Sequence, residues 1–301
     1  MAGESTTNSL AGLGPAQVSN VVTREPRDEA IASPAIHWQD ANGSASVAQP
    51  ILSGGISFTA ISNGANEADG GSFSTITSTA VTHTPAFKAA YILLSSQSAS
   101  SAAANMDAVM EGVLQRGAMT KLEVDIFTAV QGATNIVGTS GAAGSVALLQ
   151  IAAVEFRENA KDGAARGMYL LHAKTFGDVE ADALASNASV FVQRNLVDIF
   201  DGPTRAQSTA YRGVAFGYPV FISSNVQSQG GTDYCNALMR PFVPAEAEMG
   251  AGIGGGWGGM GAVRRFDQGV NRITGTSYAM DLRYAVAIED QTKIVEILGA
   301  I

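Results

Sequence analysis

The residues able to do chemistry are few, and their spacing decides what they can do. Gly250, Gly252 and Gly255 stand at GxGxxG spacing inside MGAGIGGGWGGMG. That spacing cradles a pyrophosphate when a strand leads in and a helix leads out, because the helix N-terminus supplies the amides and the positive dipole end. Here PAEAE precedes the glycines and AVRRFDQG follows them, so the context fails. A flexible surface loop anchored by Trp257 is the plainer reading. GTSGAAG at 138–144 lacks the Lys-Ser/Thr pair of a phosphate loop, and no GxSxG nucleophile elbow occurs. Cys235 is the single cysteine, and His37, His83 and His172 lie far from it in sequence. It reads as a small half-buried apolar residue rather than a nucleophile, and it excludes an intramolecular disulfide and a cysteine metal cluster. The histidines lack metal-ligand spacing, and His172 sits in an apolar strand as a core or edge side chain. Asp178, Glu180 and Asp182 form an acidic cluster, but alternate positions on a helix do not share a face, which favours a solvated surface over a cation site. Arg157, Arg166, Arg194 and Arg205 are dispersed and suit ion pairs between subunits better than phosphate binding. The expectation is a protein that is not an enzyme, with no catalytic, cofactor-binding or metal residues.

The composition bounds the rest. The 301 residues are 46% hydrophobic and only 15% charged, with 34 glycines and a net charge of −9. The apolar fraction is ample for a real core, and low charge with moderate hydrophobicity argues against disorder. Surfaces that pack against other chains are depleted of charge, and this chain fits that pattern. Its 18 basic residues include no run of five, which speaks against a charge-driven nucleic-acid reader. The polar start MAGESTTNSLAGLGPA carries no apolar core of a secretory signal, and no apolar run reaches the length of a membrane span of about 18 residues. A soluble intracellular product is expected.

The elements that must position any surface follow from periodicity. Residues 1–40 hold Pro15, Pro26 and Pro34 with weak periodicity and read as an arm, disordered or laid along a neighbour. ISFTAI at 56–61 and SFSTITSTAVTHT at 72–84 read as strands joined by SNGANEADGG, a long β-hairpin with little to fold against locally. Met106, Val109, Met110, Val113, Leu114, Leu122, Ile126, Phe127 and Val130 carry helical spacing over 101–131, with Gly112 and Gly117 suggesting a kink near 117. Such a helix spans roughly 45 Å. A second helix is expected over 145–160, a short strand over 168–172 and a short helix over 175–184. VAFGYPVFISSNV at 214–226 reads as a strand broken at Gly217-Tyr218-Pro219, and residues 278–298 as two strands turning at Asp290-Gln291.

This order of features resembles the major capsid proteins of tailed bacteriophages, with their Hong Kong 97-like fold. GVAFGYPVFISSNV at 213–226 is similar to the family's Gly-x-Pro-Val strand. RGMYLLHAKTFGDVEADAL at 166–184 is similar to the strand and helix opening its axial domain, and RITGTSYAMDLRYAVAIEDQTKIVEILG at 272–299 to its closing segment. The resemblance implies an α+β fold with an N-terminal arm at 1–44, an extended β-hairpin loop at 45–90 and a peripheral domain with a spine helix at 91–164. An axial domain at 165–265 and a closing β segment at 266–301, returning to the peripheral domain, complete it. It further implies self-assembly into hexamers and pentamers of an icosahedral shell around phage double-stranded DNA, which is contacted weakly and without sequence specificity. The shell would be assembled in the host bacterial cytoplasm, with no membrane and with separate scaffolding, portal and decoration proteins as further partners. The arm begins almost at once, so scaffolding is expected from another chain. Residues 41–87 hold no Lys and Lys88 lies at the loop's base, so no covalent cross-linking of the shell is expected.

Trp38 on the arm, Phe58 and Phe73 on the hairpin and Trp257 in the glycine-rich loop are the interface candidates, each equally readable as a local packing aromatic. Three other readings stay open. An encapsulin-like compartment shell would hold protein instead of DNA. A β-rich tail or surface structural protein would show little helix. An enzyme with a glycine-rich nucleotide loop would be stabilised by nucleotide.

Overall fold

Helix α1 (Met106–Val130) forms where the apolar spacing is most regular, burying Met110, Leu114, Ala118, Leu122, Ile126, Phe127 and Val130 along one stripe. The computed structural model describes residues 4–5, 31–53, 77–95, 106–160, 166–185, 191–192, 210–244, 250–270 and 273–301. Gly112 and Gly117 lie within α1, which runs through 117 without a break. A lone glycine weakens a helix by only about 1 kcal/mol, less than the burial on either side contributes.

Beneath α1 lies a sheet of six strands: β1 (Glu4–Ser5), β2 (His37–Asp40), β5 (Ala86–Ser95), β13 (Ile253–Met260), β14 (Arg264–Val270) and β15 (Ile273–Ile288). The long β15 organises it. One edge of β15 pairs antiparallel with β5 from Gly275 to Tyr284. It also pairs with β14 over Ile273–Ala279 and with β13 over Leu282–Ile288. Tyr278, Met280, Leu282 and Tyr284 alternate toward α1 and are buried.

A second sheet holds eight strands: β6 (Ile136–Val137), β7 (Met168–Leu171), β8 (Phe191–Val192), β9 (Tyr211–Ala215), β10 (Tyr218–Ile222), β11 (Ser228–Gln229), β12 (Asp233–Met239) and β16 (Ile294–Ala300). Helices α2 (Val146–Ala160) and α3 (Ala173–Ala185) contribute to the core on one face of this sheet. Because both faces are covered, β7 is apolar throughout: Met168 and Leu170 join the core under α1, and Tyr169 and Leu171 join the core under α2. The expected break in 214–226 is a tight turn, with Phe216 and Gly217 both at positive φ (51° and 90°), as a two-residue hairpin demands. The closing unit is β15, a 3-10 turn at Gln291–Lys293 capped by the Asp290 side chain, and β16.

The base of the expected hairpin is present as β3 (Val47–Ser53) paired antiparallel with β4 (Thr77–His83). The strand expected at 56–61 lies outside the described residues, as do Phe58 and Phe73. The glycine-rich stretch departs from expectation. It is not a surface loop but strand β13, paired with β15 on one side and in parallel with β2 on the other.

Candidate assembly surface and hairpin hinge

The glycines of β13 let neighbouring groups lie directly on backbone. A Cβ on Gly256 would stand 3.0 Å from His83 Cβ and 3.1 Å from Pro85 Cγ, and one on Gly258 would stand 2.7 Å from Arg283 Cδ. On Gly255 it would strike the Trp38 ring and stand 2.8 Å from the Ala285 carbonyl oxygen. A glycine in a strand marks such close approach, and that was the readable sign that this segment is built into a sheet. The GxGxxG spacing therefore serves packing: Gly255 lies inside the strand, with no helix following it.

Trp38 and Trp257, the two described interface candidates, meet each other. Their rings pack edge-on at 5.5 Å, and both adjoin Tyr284 at 6.5 and 6.4 Å. Trp38 Nε1 donates to the Ser33 carbonyl at 3.0 Å. Beside them His37 stacks on Phe242 at 4.3 Å, with Nδ1 3.1 Å from Glu289 Oε1. Burial pushes the Glu289 carboxyl above its usual range, and His37 opposes that push. His83 closes the hairpin where β4 runs into β5; it is buried, and neither ring nitrogen has a hydrogen-bond partner.

Polar contacts tie the body together, and apart from the i,i+4 pair of Lys121 and Asp125 spacing along the chain announces none of them. Glu123 of α1 is buried and accepts from the Ala32 and Ser33 amides at 3.0 and 2.8 Å, fixing the chain where it enters the sheet. Asp125 accepts from Lys121 at 2.6 Å, from the Tyr284 hydroxyl at 2.7 Å and from Lys88. Burial acts to raise the Asp125 carboxyl, but hydrogen bonds from Lys121, Lys88 and Tyr284 hold it below the usual range. Asn236 donates to Thr175 Oγ1 and the Ile297 carbonyl and accepts from the His172 amide, joining α3, β16 and the end of β7.

The remaining chemical candidates are occupied structurally. Cys235 is buried, and burial followed by the neighbouring Glu296 pushes its thiol far up, the reverse of an activated nucleophile. Asp178 pairs with Lys174 at 2.8 Å, and Asp182 accepts from the Val146 amide at the start of α2 at 2.8 Å. His172 stacks on Tyr234 at 3.5 Å. Arg157 bonds within the chain, to the Tyr218 hydroxyl at 3.0 Å and the Phe216 carbonyl at 2.5 Å. Arg194 and Arg205 lie outside the described residues. Among the described residues no group of three or more His, Cys, Asp or Glu is placed to hold a metal ion, and no helix is long and apolar enough to cross a membrane.

What the outside offers is an aromatic face. On β5 the side chains facing away from α1 include Phe87 and Tyr91, 74% and 61% exposed. The register places Arg283 beside Phe87, Ala279 beside Tyr91, and Arg264 and Phe266 one strand further on. Phe266 is 47% exposed, the Arg283 guanidinium lies 5.2 Å from the Phe87 ring, and Arg264 pairs with Asp281 at 2.5 Å. Aromatic and arginine side chains grouped this way are the composition of interface centres. Sequence reading missed this face, although the odd-numbered residues of AFKAAYILLS, Phe87 and Tyr91 among them, give it by alternation. Ile151 and Val154 on α2 and Leu184 on α3 are further exposed aliphatic side chains.

No family model and no curated protein matches the chain. Solved structures do. The chain is similar to the capsid of Ralstonia phage GP4 at a TM-score of 0.70 and 10% identity, covering 94% of each chain. It is similar to a chain of Mycobacterium phage Che8 at 0.66 and 13% identity, covering 94% of this chain and 96% of that one. It is also similar to the holo-SrpI encapsulin complex from Synechococcus elongatus PCC 7942 at 0.63 and 11% identity, covering 94% of this chain and 92% of that one. The chain shares the fold of these proteins, the α+β phage-capsid fold that the sequence resemblance implied.

Proposed function

We propose that this chain is the major capsid protein of a tailed bacteriophage, a non-enzymatic subunit that assembles with copies of itself into an icosahedral shell around double-stranded DNA. The observation that carries the reading is the end-to-end likeness to a phage capsid subunit, 94% of each chain at a TM-score of 0.70. The aromatic face of Phe87, Tyr91 and Phe266 supports it, since a monomer gains nothing by leaving such a face wet. In this reading the arm (1–44) and hairpin loop (45–90) serve neighbouring subunits from roots held in this chain's own sheet, β2 beside β13 and β5 beside β15. The peripheral domain (91–164 and 266–301) and axial domain (165–265) are proposed with the exchanges that strand pairing requires, β13 going with the peripheral sheet and β6, α2 and β16 with the axial one. Hexamers and pentamers close the shell, Phe58 and Phe73 serve contacts between subunits, and Trp38 and Trp257 stiffen the sheet behind them. Scaffolding, portal and decoration proteins are the further partners, and the host cytoplasm is the place of assembly.

Negative-stain electron microscopy after size-exclusion chromatography tests the proposal. Closed shells or capsomer rings are expected; a persistent monomer or dimer, with scaffolding protein supplied, overturns it. The likeness to an encapsulin complex supports a second reading, a compartment shell filled with protein. The absorbance ratio of purified shells separates the two: a nucleic-acid spectrum supports the phage head, and a protein spectrum from shells made during infection supports the compartment.

A further inference from the structure

The hairpin joins the body through a histidine in a dry seat. His83 is the last residue of β4, and β5 begins at Ala86. Its side chain is buried, with 1% of the residue exposed, and neither Nδ1 nor Nε2 has a hydrogen-bond partner. A neutral imidazole offers one donor and one acceptor, so a ring with both unmade is held by packing alone. The residue is seated on β13, where the His83 Cβ and the Pro85 ring cover the bare backbone of Gly256.

The charged and titratable groups on the neighbouring elements make no bond to the ring, and the Arg283 Nε is itself buried without a partner. On β2, His37 faces Glu289 at 3.1 Å, and Asp40 accepts from the Asn42 amide at 2.9 Å. On β15, Arg283 donates to the Ser44 carbonyl at 2.8 Å. No carboxylate among them bonds the His83 ring.

We propose that His83 is an acid-released latch: its neutral ring wedges the base of the hairpin onto the glycine strand, and protonation expels the ring and frees the hairpin. An imidazolium with no acceptor and a second histidine nearby does not fit a seat that a neutral ring fills. Burial, then the charge of His37, hold the ring's proton affinity below the ordinary histidine value. The latched state thus binds fewer protons than the open one. Latching is complete above the ordinary value of about 6.5 and weakens as the pH falls below it. The latch belongs to one chain and does not depend on the shell proposal.

Hydrogen–deuterium exchange of the purified protein tests it, at about pH 7.5 and about pH 5, with rates corrected for the intrinsic pH dependence of exchange. Size-exclusion chromatography checks that the assembly state is the same at both. Amides of 80–88 are expected to lose about tenfold protection at the lower pH while those of α1 keep theirs. His83→Met is expected to abolish the loss and His37→Gln to retain it. Unchanged protection at 80–88 in the natural chain overturns the proposal, as does a parallel loss in α1 or an equal loss in His83→Met. Abolition by His37→Gln instead moves the sensor to the His37–Glu289 pair and also overturns it. Should His83→Met fail to fold, His83→Gln, polar but not titrating in this range, takes its place with the same expected and overturning results.

Discussion

Asp125 shows how much of this molecule rests on single side chains that meet across the chain. Its carboxylate gathers Lys121 from its own helix, Lys88 from β5 and the Tyr284 hydroxyl from β15. The Lys88 ammonium also lies 4.2 Å from the Tyr284 ring. Because these bonds outweigh burial and depress the carboxyl, the folded state holds its charge to lower pH than the unfolded chain. The stabilisation is therefore present above the unfolded value of about 3.9 and is lost as the pH falls through the folded value. Asp125→Asn is expected to cost about 1–3 kcal/mol at neutral pH, the usual range for charge-assisted hydrogen bonds. Urea unfolding at pH values from neutral to strongly acid checks it: the gap between natural and variant chains narrows as Asp125 protonates, and a gap constant with pH refutes the assignment. At this scale the sequence shows which residue types stand without the spacing of a familiar site. The far-off histidines and the alternating acids argue against a site, and the structure finds Cys235 buried and Asp178 in a helical pair. It does not show Glu123 or Asp125 as organisers, because the partners that matter lie up to 159 residues away and the one local pairing, Lys121 with Asp125, reads as an ordinary pair on a helix surface.

At the scale of elements, legibility follows how local the cause is. Helices α1 and α2 were readable because the apolar stripe that packs them recurs every three or four residues. The β13 strand was not, because glycine is intrinsically poor in strands and its reason for being there is a neighbour's ring or carbonyl, which only the folded chain supplies. Two glycines separate these causes. A Cβ on Gly117 would meet nothing within 4 Å, so Gly117→Ala removes only backbone freedom and is expected to stabilise the fold by about 0.5–1 kcal/mol. A Cβ on Gly255 would strike the Trp38 ring and the Ala285 carbonyl, so Gly255→Ala is expected to cost about 1–3 kcal/mol, as overpacking does. Thermal unfolding of the two variants checks both signs. Both tryptophans of the chain stand at this glycine strand, so a shifted emission maximum in Gly255→Ala alone places the damage there. Equal effects from the two substitutions contradict the packing account.

For the whole molecule the question is which surfaces serve the fold and which serve assembly. Identities of 10–13% with the solved structures mean that the fold is kept by the pattern of burial rather than by particular residues. That is why order along the chain, arm to hairpin to long helix to mixed unit to closing strands, was the readable feature. Outward side chains carry no such burden, and an aromatic left outside costs the folded monomer little. Phe87 and Tyr91 point away from α1, on the sheet face that also bears Arg264, Arg283 and Phe266. If that face is a contact between copies, Phe87→Gln combined with Tyr91→Gln removes two aromatic anchors from it. The pair is expected to leave the unfolding midpoint nearly unchanged, since exposed substitutions usually shift stability by no more than about 0.5 kcal/mol each. It is also expected to abolish closed shells, because loss of one central anchor costs about 2 kcal/mol or more at every repeat of the interface. Multiplied over the copies of a shell, that penalty moves the population to free capsomers or single chains, visible by size-exclusion chromatography and electron microscopy. Shells formed in normal yield would show that this face looks outward in the assembly and that the contacts lie elsewhere, with Ile151, Val154 and Leu184 the next surface to test.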